Sequence, residues 1–102
     1  PQRAIEDLSA AIGLNPQHAK AFRNRGAAYV YLGQYLRAIQ DYDEAVRLEP
    51  QLAEAHAGRA LAHILVGNDV EAEPDIDWLV KVLGVDEAIV RERLYLMINS
   101  SP

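Results

Sequence analysis

The sequence predicts an all-α solenoid of stacked helical hairpins, and three observations lead to this fold class. Residues 4–21 and 38–55, "AIEDLSAAIGLNPQHAKA" and "AIQDYDEAVRLEPQLAEA", share nine identical positions at one constant offset, the step from Ala4 to Ala38. Between these stretches, apolar residues recur at spacings of three and four, which is helical periodicity. Strand-type alternation is found nowhere in the sequence. A period of roughly 20 to 50 residues indicates stacked supersecondary units rather than a single globular core.

The composition restricts the class of partner. The chain has 102 residues, half of them apolar, which is enough for one domain. A net charge of -5 argues against nucleic-acid binding, so protein or peptide partners are expected. The lack of cysteine excludes disulfides and thiolate zinc sites. No apolar run reaches the roughly 18 residues of a membrane span, so we expect a soluble chain with no membrane partner, and the cytoplasm is the default compartment.

One complete hairpin is predicted over residues 19–52. The first helix ends at Gly33, because glycine tolerates the positive φ of a helix C-terminus. The second helix stops at Pro50. The predicted inner positions of the two helices are Ala21, Phe22, Arg25, Gly26, Ala28, Tyr29 and Leu32, then Ala38, Ile39, Tyr42, Ala45, Val46 and Leu48.

The same register divides the rest of the chain into a half repeat (1–18), a degenerate repeat (53–84) and a C-terminal capping helix (85–99) within a single domain of residues 1–102. Because the chain begins at Pro1 inside a repeat, we expect it to be part of a longer protein. Pro74 falls inside the second helix of the degenerate repeat, where proline costs about 3 kcal/mol, so a break near Glu73 is predicted.

The complete hairpin carries a family resemblance. Phe22, Arg25, Gly26, Tyr29, Ala38, Tyr42 and Pro50 follow the pattern W-x2-L-G-x2-Y, A-x3-F, P. The chain therefore resembles the tetratricopeptide repeat family, with Arg25 in place of the leucine of the pattern. The resemblance implies a right-handed superhelix of helical hairpins whose first helices line a concave groove, and a role in binding a peptide or helix of a partner protein.

In this family, groove residues come from fixed positions of the first helices. Those positions predict a partner-binding set of Lys20, Arg23, Asn24, Ala27, Val30, Tyr31, Glu54, Ala57, Leu61 and Ile64. Val30, Leu61 and Ile64 are expected to face the groove as an exposed apolar patch. The alternative is that the last helix fills this patch. Chaperone binding is not predicted, because Gly58 stands where that subclass of the family needs arginine.

No catalytic, cofactor or metal site is predicted. His56 and His63 are two helical turns apart, about 10 Å, which is too far to share one ion, so we expect both imidazoles in core positions. The acidic residues are expected to be solvated and to compensate helix dipoles; they are Asp41, Asp43, Glu44, Glu71, Glu73, Asp75 and Asp77. No nucleophile set or phosphate loop can be assembled, so an enzyme is not expected.

Two other roles stay open from the sequence. The half repeat lacks its partner helix, so a homodimer through residues near Ile5, Leu8 and Ile12 is the structural alternative. A pH sensor built on His56 and His63 is a third hypothesis.

Overall fold

The structure, a computed structural model, describes residues 1–99. The last three residues of the predicted domain lie outside this range. Within it the chain forms six helices and no strand: α1 (Gln2–Leu14), α2 (Ala19–Tyr31), α3 (Tyr35–Leu48), α4 (Ala53–Leu65), α5 (Asp69–Leu83) and α6 (Glu87–Asn99). The predicted all-α class is confirmed. None of the described helices is long and apolar enough to cross a membrane.

Each helix packs against its neighbours in sequence, and alternate helices also touch. Contacts join α2 to α4 and α4 to α6, which is the pattern of a stack of hairpins. Gly33 and Gly67 occupy equivalent positions just after α2 and α4, with φ of 76° and 89°. Because a side chain strains this backbone region, glycine at these two points fixes where each hairpin turns. The predicted end of α2 at Gly33 is confirmed.

Two apolar clusters hold the stack together. The first is centred on Phe22, Ala38, Tyr42, Ala45, Leu52, Ala55 and Ala62. The second is centred on Ala60, Leu61, Ala72, Ile76, Leu79, Val90 and Leu94. Ala38 and Ala72 are both fully buried and are separated by one repeat offset. The sequence period is therefore also a period of the core.

The ring of Tyr42 reaches between α2 and α4 because glycine faces it from both helices. A Cβ on Gly26 would lie 3.1 Å from the Tyr42 ring, and a Cβ on Gly58 would overlap the ring and its hydroxyl. Tyr42 is only 3% exposed, so its ring has little free space to move into. The residue that argued against chaperone binding is thus the residue that makes room for Tyr42.

Gly58→Ala is expected to destabilise the fold by about 1 to 3 kcal/mol, because it overpacks a filled core site. The matched control is Gly13→Ala on α1, where a Cβ meets nothing within 4 Å. The control should be neutral or stabilising by up to about 1 kcal/mol, since alanine favours the helix more than glycine. Urea unfolding of both variants measures the difference. Equal effects of the two substitutions would contradict the packing of Tyr42 against Gly58.

Pro74 lies inside α5, which is continuous, so the predicted break near Glu73 is wrong. Proline removes the hydrogen bond to the carbonyl of Val70, four residues back. Both Pro74 and Val70 are exposed, so a water molecule can donate a hydrogen bond to that carbonyl oxygen. The opposite face of the helix is anchored by buried Asp75 and Ile76, which keeps both halves of the helix in line.

Two bidentate ion pairs repeat with the period of the chain. Arg25 donates from Nε and from its terminal nitrogen to the two oxygens of Asp41, each at 2.8 Å. Arg59 holds Asp75 in the same way at the same distances. These bonds raise the pKa of both guanidinium groups. The departure from the family pattern at Arg25 is therefore a structural ion pair.

The third guanidinium nitrogen of each arginine, Nη1, donates a hydrogen bond to the preceding hairpin. Arg25 donates to the hydroxyl of Ser9 at 3.1 Å, and Arg59 donates to a carboxylate oxygen of Asp43 at 3.0 Å. Each arginine therefore joins three helices. The prediction that Asp41 and Asp75 are solvated is wrong: they are only 5% and 3% exposed.

His56 fills a core position, as predicted. Its ring stacks on Trp78 with centroids 3.8 Å apart. Nδ1 lies 2.9 Å from Asp75 and Nε2 lies 2.8 Å from the carbonyl oxygen of Pro50. Both partners are hydrogen-bond acceptors, so both bonds form together only when each ring nitrogen carries a proton. His63 is half-buried, and its Nδ1 has no partner among the described residues.

Candidate functional site: the concave groove between α2, α4 and α6

An open groove of about 450 Å³ lies between α2 and α4. α2 and α4 are the first helices of successive hairpins, so the groove is on the side predicted for the concave face. Its lining residues are Arg23, Ala27, Val30, Tyr31, Tyr42, Glu54, Ala57, Gly58, Leu61 and Met97. The ring of Tyr42, which belongs to α3, forms the floor of the groove. Met97, which belongs to α6, lies at its edge.

The structure brings seven of the ten predicted partner-binding residues to this groove: Arg23, Ala27, Val30, Tyr31, Glu54, Ala57 and Leu61. Lys20 and Asn24 are exposed on α2 but do not line it. Lys20 instead lines a shallow polar depression near the N-terminus of α2. Ile64 is half-buried and packs against the second apolar cluster. The predicted set is thus divided between the groove and its surroundings.

The expected exposure of Leu61 is wrong. Its side chain is 8% exposed and belongs to the same cluster as Val90 and Leu94 of α6. The last helix lies against α4 and covers this part of the concave face. Ile98 of α6 and Val30 of α2 also pack against this cluster. α6 therefore fills one end of the predicted patch and leaves the end near Ala27 open, since Ala27 is exposed.

The open part of the groove combines apolar walls with unused polar groups. The Nε of Arg23 is buried and has no hydrogen-bond partner among the described residues. Tyr31 at the end of α2 is 66% exposed, and Glu54 near the start of α4 is also exposed. A buried donor without an acceptor is costly, so Arg23 keeps unused hydrogen-bonding capacity at this wall of the groove. Ala27 and Val30 supply the apolar surface beside it.

Comparison with protein-family models matches residues 19–52 to the tetratricopeptide repeat. This match covers one third of the chain. Tetratricopeptide repeats are generally protein-interaction modules. The matched residues hold α2 and α3, which carry one wall and the floor of the groove. Comparison with the curated proteins gives no match.

Tyr42 forms the floor of the groove, and the sequence predicted it only as a core residue of the tetratricopeptide repeat. Burial raises the pKa of its hydroxyl to about 12; nearby Arg23 acts against this shift and Asp41 adds to it. The neutral phenol is therefore strongly favoured in the folded chain.

Stability is expected to fall between pH 10 and pH 12 because of Tyr42. The unfolded chain ionises this tyrosine near pH 10, whereas the folded chain holds the proton to about pH 12. The contribution of the neutral phenol is present below pH 10 and is lost as the pH rises through 12, by about 3 kcal/mol. Urea unfolding across this range, compared with Tyr42→Phe, measures the loss. Parallel pH profiles for the two proteins would contradict this assignment.

A cluster of carboxylates lies away from the groove. Glu73, Asp77 and Glu87 place one oxygen each within 4.8 Å of one another. Arg91 pairs with Glu73 at 2.8 Å and with Glu87 at 3.4 Å, so a cation already occupies the cluster. Asp77 and Glu87 are exposed, and the cluster is explained by surface ion pairing between α5 and α6.

Three residues of the groove lie outside the predicted partner-binding set: Tyr42, Gly58 and Met97. For Tyr42 the signal was present, because glycine at positions 26 and 58 leaves space for its ring between the two helices that line the groove. Met97 lies on the predicted capping helix, but the sequence does not say which face of that helix meets the groove.

Proposed function

We propose that the chain is a non-catalytic interaction domain that binds a segment of a partner protein in the groove between α2 and α4. The observation that carries this proposal is the buried Nε of Arg23, which lacks an acceptor among the described residues at the wall of an open, largely apolar groove. Repeats of this family serve as protein-interaction modules, which supports the same role.

The recognition is preorganised. The helices that line the groove are fixed by their own packing and by the ion pairs of Arg25 and Arg59, so binding orders few groups of the domain itself. The partner segment places an apolar side chain against Ala27 and Val30, and a carbonyl or carboxylate oxygen near Arg23. Lys20 lies on the same helix and favours acidic residues flanking that anchor.

Met97 gives the groove an adaptable edge. It is 45% exposed at the groove margin, on the helix that covers Leu61. Methionine is unbranched and flexible, and it adjusts its shape to different apolar partners. The groove can therefore accept segments of related but not identical shape with modest affinity.

Selection of peptides from a random displayed library tests this function. Peptides that bind the full chain are assayed against Ala27→Trp, which fills the groove from an exposed position, and against Ala10→Trp, an exposed site on α1. We expect the groove variant to weaken binding by about tenfold or more, and the control to bind like the unmodified chain. Substituting Leu61 would not serve, since this residue supports the fold. Equal binding by the two tryptophan variants would refute the groove assignment.

A further inference from the structure

His56 is a buried titratable side chain that the proposed binding groove does not use. It lies on α4 and is 6% exposed. The Trp78 ring of α5 stacks on it at a centroid distance of 3.8 Å and an interplanar angle of 11°. The Asp75 carboxylate of α5 meets one ring nitrogen, and the carbonyl oxygen of Pro50 meets the other. Pro50 belongs to the loop between α3 and α4, so the imidazole links this loop to α4 and α5.

The two ring contacts of His56 together require a charged imidazole. Nδ1 lies 2.9 Å from Oδ1 of Asp75, and Nε2 lies 2.8 Å from the carbonyl oxygen of Pro50. A carboxylate and a carbonyl can only accept hydrogen bonds, whereas a neutral imidazole has a single N–H to donate. In the neutral ring, the lone pair of one nitrogen would therefore face an acceptor oxygen at hydrogen-bond distance. The imidazolium, with a proton on each nitrogen, satisfies both acceptors.

The charges around His56 balance when its ring is protonated. Both oxygens of Asp75 accept hydrogen bonds from Arg59, so Asp75 is an acceptor toward His56 as well. Arg59 also pairs with Asp43 of α3. The protonated ring and Arg59 then supply two positive charges to two carboxylates. α2 and α6 also pack against α4, but within residues 1–99 they form no hydrogen bond or ion pair with His56.

We propose that His56 is a proton-operated clamp that joins α5 to the loop between α3 and α4. In the protonated state the ring donates to Asp75 and to Pro50 at the same time. When the ring loses its proton, the remaining N–H stays with Asp75, because a hydrogen bond to a charged acceptor is the stronger one. Nε2 then turns a lone pair toward the Pro50 oxygen, and the loop separates from the ring. Since this loop leads directly into α4, the clamp fixes the N-terminal end of a helix that lines the groove.

The clamp makes the stability of the fold decrease as the pH rises. The bond from Nε2 to Pro50 exists only while the folded ring is protonated, and it is absent from the unfolded chain. Its contribution is present at acidic pH and is lost as the pH rises and the folded ring gives up its proton. His18 has the opposite dependence, because its Nδ1 accepts a hydrogen bond from the Ala21 N–H at 3.2 Å and must be unprotonated to do so. His63 has no partner at Nδ1 within the described residues, so the pH-sensor hypothesis narrows to His56.

Urea unfolding of the full chain between about pH 5 and pH 8 tests the sign of this dependence. His56→Phe keeps an aromatic ring beside Trp78 and introduces the residue of the equivalent position in the preceding hairpin, Phe22, but it carries no proton. We expect the unfolding equilibrium constant of the unmodified chain, relative to that of His56→Phe, to rise by about tenfold or more across this range. The control His18→Asn retains His56 and should show at least the same rise, since it removes the opposing contribution of an exposed cap. Parallel pH profiles for the unmodified chain and His56→Phe would overturn the proposal.

NMR of the unmodified chain tests the clamp even if His56→Phe does not fold. The amide of Gln51 belongs to the same peptide group as the Pro50 carbonyl, so we expect its nitrogen signal to move with the titration of His56. The Nε–H signal of Arg59 should stay in place, because its bond to Asp75 persists. A neutral His56 ring in the folded chain at about pH 5, or a Gln51 amide that ignores the titration, would contradict the clamp. No groove ligand is used, so the outcome is independent of the proposed binding function.

Discussion

Asp75→Ala is expected to destabilise the fold by about 3 to 5 kcal/mol, because it leaves buried His56 and partly buried Arg59 without their shared acceptor. Asp75 is 3% exposed, and its two carboxylate oxygens accept hydrogen bonds from Nε and Nη2 of Arg59, each at 2.8 Å. It also meets Nδ1 of His56 at 2.9 Å. Urea unfolding followed by circular dichroism measures the loss as a shift in the midpoint at constant slope.

The matched control for this prediction is Asp43→Ala. Asp43 also pairs with Arg59, at 3.0 Å, but its side chain is 58% exposed. Exposed ion pairs contribute about 0 to 1 kcal/mol, so the control should unfold almost like the unmodified chain. If Asp43→Ala cost as much as Asp75→Ala, burial would not be the source of the effect.

Phe22→Ala is expected to cost about 3 to 5 kcal/mol, since it removes a large side chain from the first apolar cluster. Phe22 is 9% exposed and packs in the cluster that contains Tyr42 and Leu52. The guanidinium of Arg25 lies 5.7 Å from the centre of its ring, so the truncation also removes a cation–π contact. Thermal and urea unfolding both report the change.

Two tyrosines of α2 serve as controls for Phe22→Ala. Tyr31 is 66% exposed at the groove rim, so Tyr31→Ala should change stability by about 0.5 kcal/mol or less. Tyr29 is half-buried, so Tyr29→Ala should fall between the two. The expected loss of stability is largest for Phe22→Ala, intermediate for Tyr29→Ala and smallest for Tyr31→Ala. Any other order would show that side-chain exposure does not determine the cost of truncation on this helix.

Much of the fold could be predicted from the sequence because the chain repeats itself. The constant repeat offset predicts the hairpins, and Gly33 and Gly67 take the positive φ that such turns need. The break expected at Pro74 failed for a local reason. Pro74 lies on the exposed side of a helix that is anchored on its other side. The carbonyl that loses its helical hydrogen bond there can bond to water instead, so the free-energy cost is too small to separate the two halves of α5.

The buried ion pairs were also within reach of the sequence. Arg25 and Arg59 recur at the repeat offset, as do Asp41 and Asp75. Each residue by itself predicts only a solvated acid or an arginine that departs from the family pattern, and the pairing follows only when both residue types are aligned by the repeat offset. A charged residue that recurs in a core position requires a partner that recurs with it.

The groove could be predicted only in part. Positions such as Arg23 and Ala27 follow from the helix periodicity and the family resemblance. The burial of Leu61 could not be predicted, because it depends on how α6 lies across α4. The apolar residues of α6 are spread around much of the helix, so its sequence does not say which face meets the groove.

The most direct test of the groove is amide chemical-shift mapping of the full chain with a peptide selected as described above. Groove binding predicts that the largest shifts cluster at Arg23, Ala27, Tyr31 and Ala57, while exposed residues of α3 such as Gln40 and Asp43 stay unchanged. Shifts concentrated on α3 and α5, with α2 unaffected, would contradict the assignment of this face as the binding site.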